Sequence, residues 1–201
     1  MSRSLEAPGR CVWGLVALMA WFVEPVSATL QDGGLGADGA RAQFQQVARP
    51  GGFWATSNER YATDRSGEPD EYRMAFTLAP DGNSVSGCMW AGTESANATP
   101  FWYFFHGWDP TTNSILVYQS SPGGAVAIGR ETQRPDGEME AIQTLHIPGA
   151  EPEQVRHLNR TVHPDTLDSR SFGGSGDGET TSVPRRSYVW TWEPSSAKNP
   201  C

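Results

Sequence analysis

The chain has 201 residues, 23 acidic against 15 basic, and a formal net charge of −8 at neutral pH. That balance argues against nucleic-acid and anionic-membrane partners, both of which need a basic face. The length suits one domain with a real core, and no pattern repeats at a fixed period that would signal a solenoid or an array.

Residues 1–28 look like a secretory signal. Arg3 and Arg10 lie in the leading segment with Glu6 between them, residues 11–23 run apolar, and Val26, Ser27 and Ala28 offer a cleavage position. The apolar run falls short of the roughly 20 residues a helix needs to cross a hydrocarbon core. Cleavage is therefore preferred over an uncleaved anchor, an alternative that Trp13 and Trp21 keep open. The expectation is a secreted or periplasmic protein with no stable membrane insertion after signal cleavage and no nucleic-acid partner.

Residues 29–50 are expected to be a flexible leader and a short helix. The helix is predicted over residues 38–47, with Asp38 as N-cap and Pro50 just past its end. Ala42, Phe44 and Val47 give it a thin apolar stripe, enough for a lid or plug.

From residue 51 the chain alternates. Tyr72, Met74, Phe76 and Leu78 share one strand face, and Pro80, Asp81, Gly82 and Asn83 turn the chain back into residues 85–90. Residues 101–133 read as three aromatic and β-branched runs, separated by residues 109–113 and by Ser121, Pro122, Gly123 and Gly124. Arg134, Pro135, Asp136 and Gly137 lead into residues 139–147. A weaker strand over 155–159, another over 166–172, a Gly-rich turn at 173–178 and a final strand over 183–193 follow. Turn signals every 8–12 residues indicate an all-β antiparallel meander closing into a barrel, here about nine strands and one short helix. The barrel is placed at residues 51–194 and a tail at 195–201.

The last strand alternates most cleanly: Arg186, Tyr188, Trp190 and Trp192 share a face that two Trp and one Tyr mark as buried. An Arg on that face must find a carboxylate, a carbonyl or an aromatic ring, or reach out at a barrel end. Cys88 and Cys201 remain after signal cleavage, and an oxidising compartment would favour their disulfide. The alternative is a buried Cys88 thiol with a loose Cys201, since sequence supplies no distance.

Three features coincide: Gly52, Phe53 and Trp54 open the first strand, a short helix precedes them, and Arg185 and Arg186 lie in the final strand. Together they resemble the lipocalin-like (calycin) pattern, a barrel of about 8–10 strands with an internal ligand site. The resemblance implies that Trp54 seals the barrel base under a last-strand Arg, with Arg186 the choice because it shares the aromatic face. Phe101, Trp102, Tyr103 and Phe104, then Asp109 and Pro110, then the run 185–190 also resemble small secreted bacterial lipocalin-like proteins of unknown function. The resemblance covers residues 51–193 and implies a cavity without naming its contents.

The candidate lining is Trp102, Phe104, Tyr118, Arg130, Tyr188 and Trp190. An apolar cavity with an Arg and a Tyr hydroxyl suits a small, mostly apolar molecule carrying one anionic or carbonyl group. Which strand faces point inward stays open, because a one-residue slip exchanges them. His106 reads as a base, a haem ligand or a packed histidine. His146, His157 and His163 lack a tight metal spacing, so neither a metal nor a cofactor is expected. Ser175 sits in a Gly-rich turn that spells no nucleophile elbow and no phosphate loop, and no catalytic residue is assigned. Glu138, Glu140, Glu151 and Glu153 read as solvated charge, and Asn97 and Asn159 begin sequons. An enzyme on the same barrel would need a titratable pair inside it, such as His106 within reach of a carboxylate. A third reading is a filled barrel that works through its surface.

Overall fold

The computed structural model describes residues 35–62, 68–92, 98–174, 181–196 and 199–201. The signal segment 1–28, the start of the leader, Asn97 of the first sequon and Ser175 lie outside the described residues. Among the described residues, one helix, α1 (Gly36–Val47), precedes ten strands: β1 (Gly52–Ser57), β2 (Glu71–Leu78), β3 (Ser84–Ala91), β4 (Pro100–Asp109), β5 (Ser114–Ser120), β6 (Val126–Gln133), β7 (Met139–His146), β8 (Glu153–His163), β9 (Thr166–Phe172) and β10 (Arg186–Pro194). Each strand pairs antiparallel with its sequence neighbour, and β1 pairs with β10, so the sheet closes into a barrel without edges.

Turn chemistry explains the meander. The Gly82 N–H donates to the Ala79 carbonyl at 2.9 Å, with Gly82 at φ +71°, a conformation open to a residue without Cβ. The Asp81 carboxylate accepts from the Asn83 N–H at 3.0 Å, an Asx turn that locks the same reversal. The register Trp54↔Trp192 and Trp54↔Met74, carried around through Phe76↔Gly87, Phe104↔Gln119, Glu131↔Ala141 and His157↔Ser171, assigns one face of every strand to the interior.

The helix is an end plug. Ala40 and Phe44, four residues apart on one face, are buried against Val85, Ile115, Val117 and Met139. It begins two residues before the expected start, and Leu35, not Asp38, holds the N-cap position without a side-chain bond. Asp38 lies in the first turn, where its charge suits the helix N-terminus. Side chains then fasten the plug to two turns: Arg41 Nε donates to Asn83 Oδ1 at 3.0 Å, Gln46 Nε2 to the Pro164 carbonyl at 2.6 Å, and Arg49 pairs with Asp165.

A second apolar cluster lies outside the barrel wall. Phe53, Ala55, Ala75, Cys88 and Trp90 point outward from β1, β2 and β3 and are nevertheless buried. Cys201 is disulfide-bonded to Cys88 with the Cα atoms 5.5 Å apart, which brings the C-terminal residue against this face. The Arg73 guanidinium stacks 4.4 Å from the Phe53 ring centre.

Candidate functional site

The interior holds a cavity of about 1190 Å³, larger than most small-molecule sites. Small inward side chains widen its wall: Ala127 and Ala141 line it from β6 and β7. At Gly129 a Cβ would stand 1.9 Å from the Ile142 carbonyl oxygen, so the strands approach there only because the residue has none. Phe76, Phe104, Met89, Leu145 and Trp190 supply apolar wall. A barrel packed solid does not describe this interior.

Two polar groups sit at opposite ends. At the floor, beneath α1, Glu131 is 1% exposed. His106 Nδ1 lies 3.7 Å from Glu131 Oε2, Asn159 Nδ2 donates to Oε1 at 3.3 Å, and Gln43 Nε2, from the helix, donates to Oε2 at 3.4 Å. Ala141 stands between Glu131 and His157 in one cross-strand row, and its small side chain leaves their field unobstructed. Burial holds the His157 imidazole below its usual range; the Glu131 charge pulls it up and His106 pushes it further down. His157 keeps some accessible surface, and that surface faces the cavity. The His106 Nε2 atom is buried without a hydrogen-bond partner.

At the rim, the end away from α1, Arg186 donates to both Glu68 oxygens at 2.8 and 2.6 Å, a bidentate pair. The hydrogen bond from Arg186 holds the Glu68 carboxyl below the usual carboxylate range. Tyr188 donates to Asn58 Oδ1 at 2.8 Å, and burial beside Glu68 pushes the Tyr72 hydroxyl up to about 12. Arg186 also stacks 4.5 Å over the Tyr61 ring. The Arg186–Glu68 pair thus sits within a collar of aromatic rings, Tyr61, Tyr72 and Tyr188.

Trp102, Phe104, Tyr188 and Trp190 line the cavity. Tyr118 and Arg130 do not, and the expectation that both point inward is corrected. Tyr118 pairs with Phe105 and Ile128, all three on the outer face and 39–46% exposed. Arg130 follows that parity and forms an outer ion pair with Asp109 at 2.8 Å. That contact, with Thr112 as the largest contributor, holds the Asp109 carboxyl at about 2. The run 101–105 is aromatic at every position, so composition does not reveal its inner face.

The base is also sealed differently from the expectation. Trp54 is fully buried, its indole N–H donates to the Val47 carbonyl at 3.0 Å, and its ring meets Trp192 edge-on at 5.3 Å. The cation over this pair is Arg49, 4.8 Å from the Trp192 ring. Arg186 lies at the opposite end of β10, because Trp54 pairs with Trp192 and Arg186 with Ser171.

Glu131, Gln43 and Glu68 went unnoticed in the sequence, and Asn159 was read only as the start of a sequon. The available signal was Glu131 at period two from Ala127 and Gly129, a lone carboxyl on a face of small residues. Among the described residues, no group of three or more His, Cys, Asp or Glu is arranged to hold a metal, and no helix is long and apolar enough to cross a membrane.

Neither protein-family models nor curated proteins give a match to this chain. The fold defines its class: a closed ten-stranded antiparallel β-barrel with a helical end plug and a roomy interior, an architecture consistent with the calycin-like barrels.

Proposed function

We propose that this protein is a secreted or periplasmic lipocalin-like barrel that holds a small, mostly apolar molecule. The observation that carries the reading is the cavity of about 1190 Å³: its wall joins aromatic and aliphatic side chains to polar groups such as His106, Gln119, His157 and Ser169, which can hold and orient a ligand. A chain selected only for stability would fill such space, since an interior lacking contacts forfeits packing energy. Native mass spectrometry of protein purified from its own compartment tests the reading. Extra mass lost on denaturation identifies a carried ligand; a bare mass from every preparation, with no uptake of added apolar compounds, overturns it.

One observation favours a second reading, acid–base chemistry on a bound substrate: His106, on the cavity wall, holds Nδ1 3.7 Å from the buried Glu131 carboxylate. Under that reading the mass spectra would show a bound compound converted to an isomer or hydrolysed by wild-type protein and left intact by His106→Ala.

A further inference from the structure

We propose that the ligand carries a flat aromatic ring system, stacked on a platform that Phe76 and Phe104 form above Gly87. The inference rests on the ligand-binding reading and names the ligand's chemistry.

Phe76 stands on β2 and Phe104 on β4, with Gly87 of β3 between them in one inward row. Strands two apart lie roughly 9–10 Å from each other, yet the two ring centres are 5.5 Å apart. The glycine closes the gap. A Cβ at Gly87 would stand 2.7 Å from Cδ1 and 3.0 Å from Cγ of Phe76, so that ring leans over β3 into the place of the missing side chain. The two rings are inclined by 38°, against 50° for Tyr72 and Phe101 and 55° for Tyr188 and Trp190. Of these three ring pairs, Phe76 and Phe104 come nearest to one continuous surface. Both side chains line the cavity and keep accessible surface there.

The neighbours suit a thin ligand. His106 stands upright at the lower end of the platform, inclined 72° to each ring with centres 6.2 and 6.5 Å away. Met74 and Met89, paired in the next inward row toward the rim, also line the cavity and add thioethers, which favour ring edges. In the closed ten-stranded order β8 lies opposite β3. On that side β7, β8 and β9 line the cavity with Ala141, Val155 and Ser169. Rings on one wall and short side chains on the other leave room for a plate lying against the rings. An aromatic plate meets such rings offset or edge to face and gains beyond the area it buries, whereas a saturated body of the same skeleton gains from area alone.

The experiment is a calorimetric titration of the folded protein with 2-naphthol and with decahydro-2-naphthol, one carbon skeleton and one hydroxyl in a flat aromatic and a puckered saturated form. The aromatic compound should bind at least about fivefold more tightly, the scale of one good ring–ring contact. Phe104→Leu keeps an apolar side chain and removes a ring; it should erase that preference by weakening 2-naphthol and leave the saturated compound as it was. Phe76→Leu should do the same, and it serves if the first variant does not fold. Equal binding of the two compounds, tighter binding of the saturated one, or a preference that survives in the folded variants overturns the inference while the binding reading stands. If neither compound binds, the inference falls and the native mass spectra decide the binding reading separately. A carried ligand without an aromatic ring system upholds that reading and overturns this inference; a bare mass with no uptake overturns both.

Discussion

Trp54 joins three parts of the molecule at one side chain. Its ring closes the floor against Trp192, and its N–H ties β1 to the end of α1. Trp54→Ala should lower unfolding free energy by about 3–5 kcal/mol, as truncation of a buried aromatic does, measured by denaturant titration. A loss below about 1 kcal/mol would mean the residue seals nothing. His157 makes a different demand. Because burial lowers its pKa in the folded barrel, the unfolded chain takes up the proton first as pH drops. The stability it contributes is complete above about 6.5, the unfolded value. It is lost progressively as pH falls from there through the folded pKa. Thermal midpoints measured between pH 7.5 and 5 should decline for wild-type protein and decline less for His157→Gln; equal slopes would show that His157 stays protonated in the fold or is solvated there.

Among the elements, the C-terminal tether is the most directly testable. Cys88 and Cys201 are 113 residues apart in sequence, so their bond constrains a long loop of the unfolded chain. Its loss in Cys201→Ser should cost about 2–4 kcal/mol. Non-reducing peptide mapping should recover one cross-linked pair; two alkylatable thiols would show that the tether is absent. The strands themselves were legible because Pro, Asp and Gly punctuate them. β4, β5 and β6 fall on the three runs seen in residues 101–133. β8 was legible only in part: its expected core, 155–159, extends to Glu153–His163, where polar side chains ride on backbone pairing to β7 and β9. Inner and outer faces were less legible. Phe105, Tyr118 and Ile128 carry the hydrophobicity of core residues yet face outward, and only the closed register settles their side. The floor was hidden for a further reason. Gln43, His106, Glu131 and Asn159 come from four elements, and no spacing in a single chain announces that they meet.

For the whole molecule, alternation and turn spacing together implied a barrel, whereas the cavity depends on which inward positions happen to be small. The short side chains of Ala127 and Ala141 leave space on the cavity wall that a volume-blind pattern of apolar residues would have filled. The resulting interior is graded from a hydrogen-bonding floor, through an aromatic and aliphatic sleeve, to a rim where Arg186 and Glu68 neutralise each other.

The pairing of β1 with β10 carries a consequence for how this molecule comes into being. Every other pairing, that of β1 with β2 included, forms as soon as the next hairpin is made, but the pairing of β1 with β10 must wait until nearly all the described chain has emerged before Trp54 finds Trp192. Through that interval the sheet grows with two raw edges and an unsealed apolar floor, the state most prone to stray strand addition. The order of synthesis thus sets a period of vulnerability that ends only with the last hairpin, and a chain held unfolded until complete would be spared it.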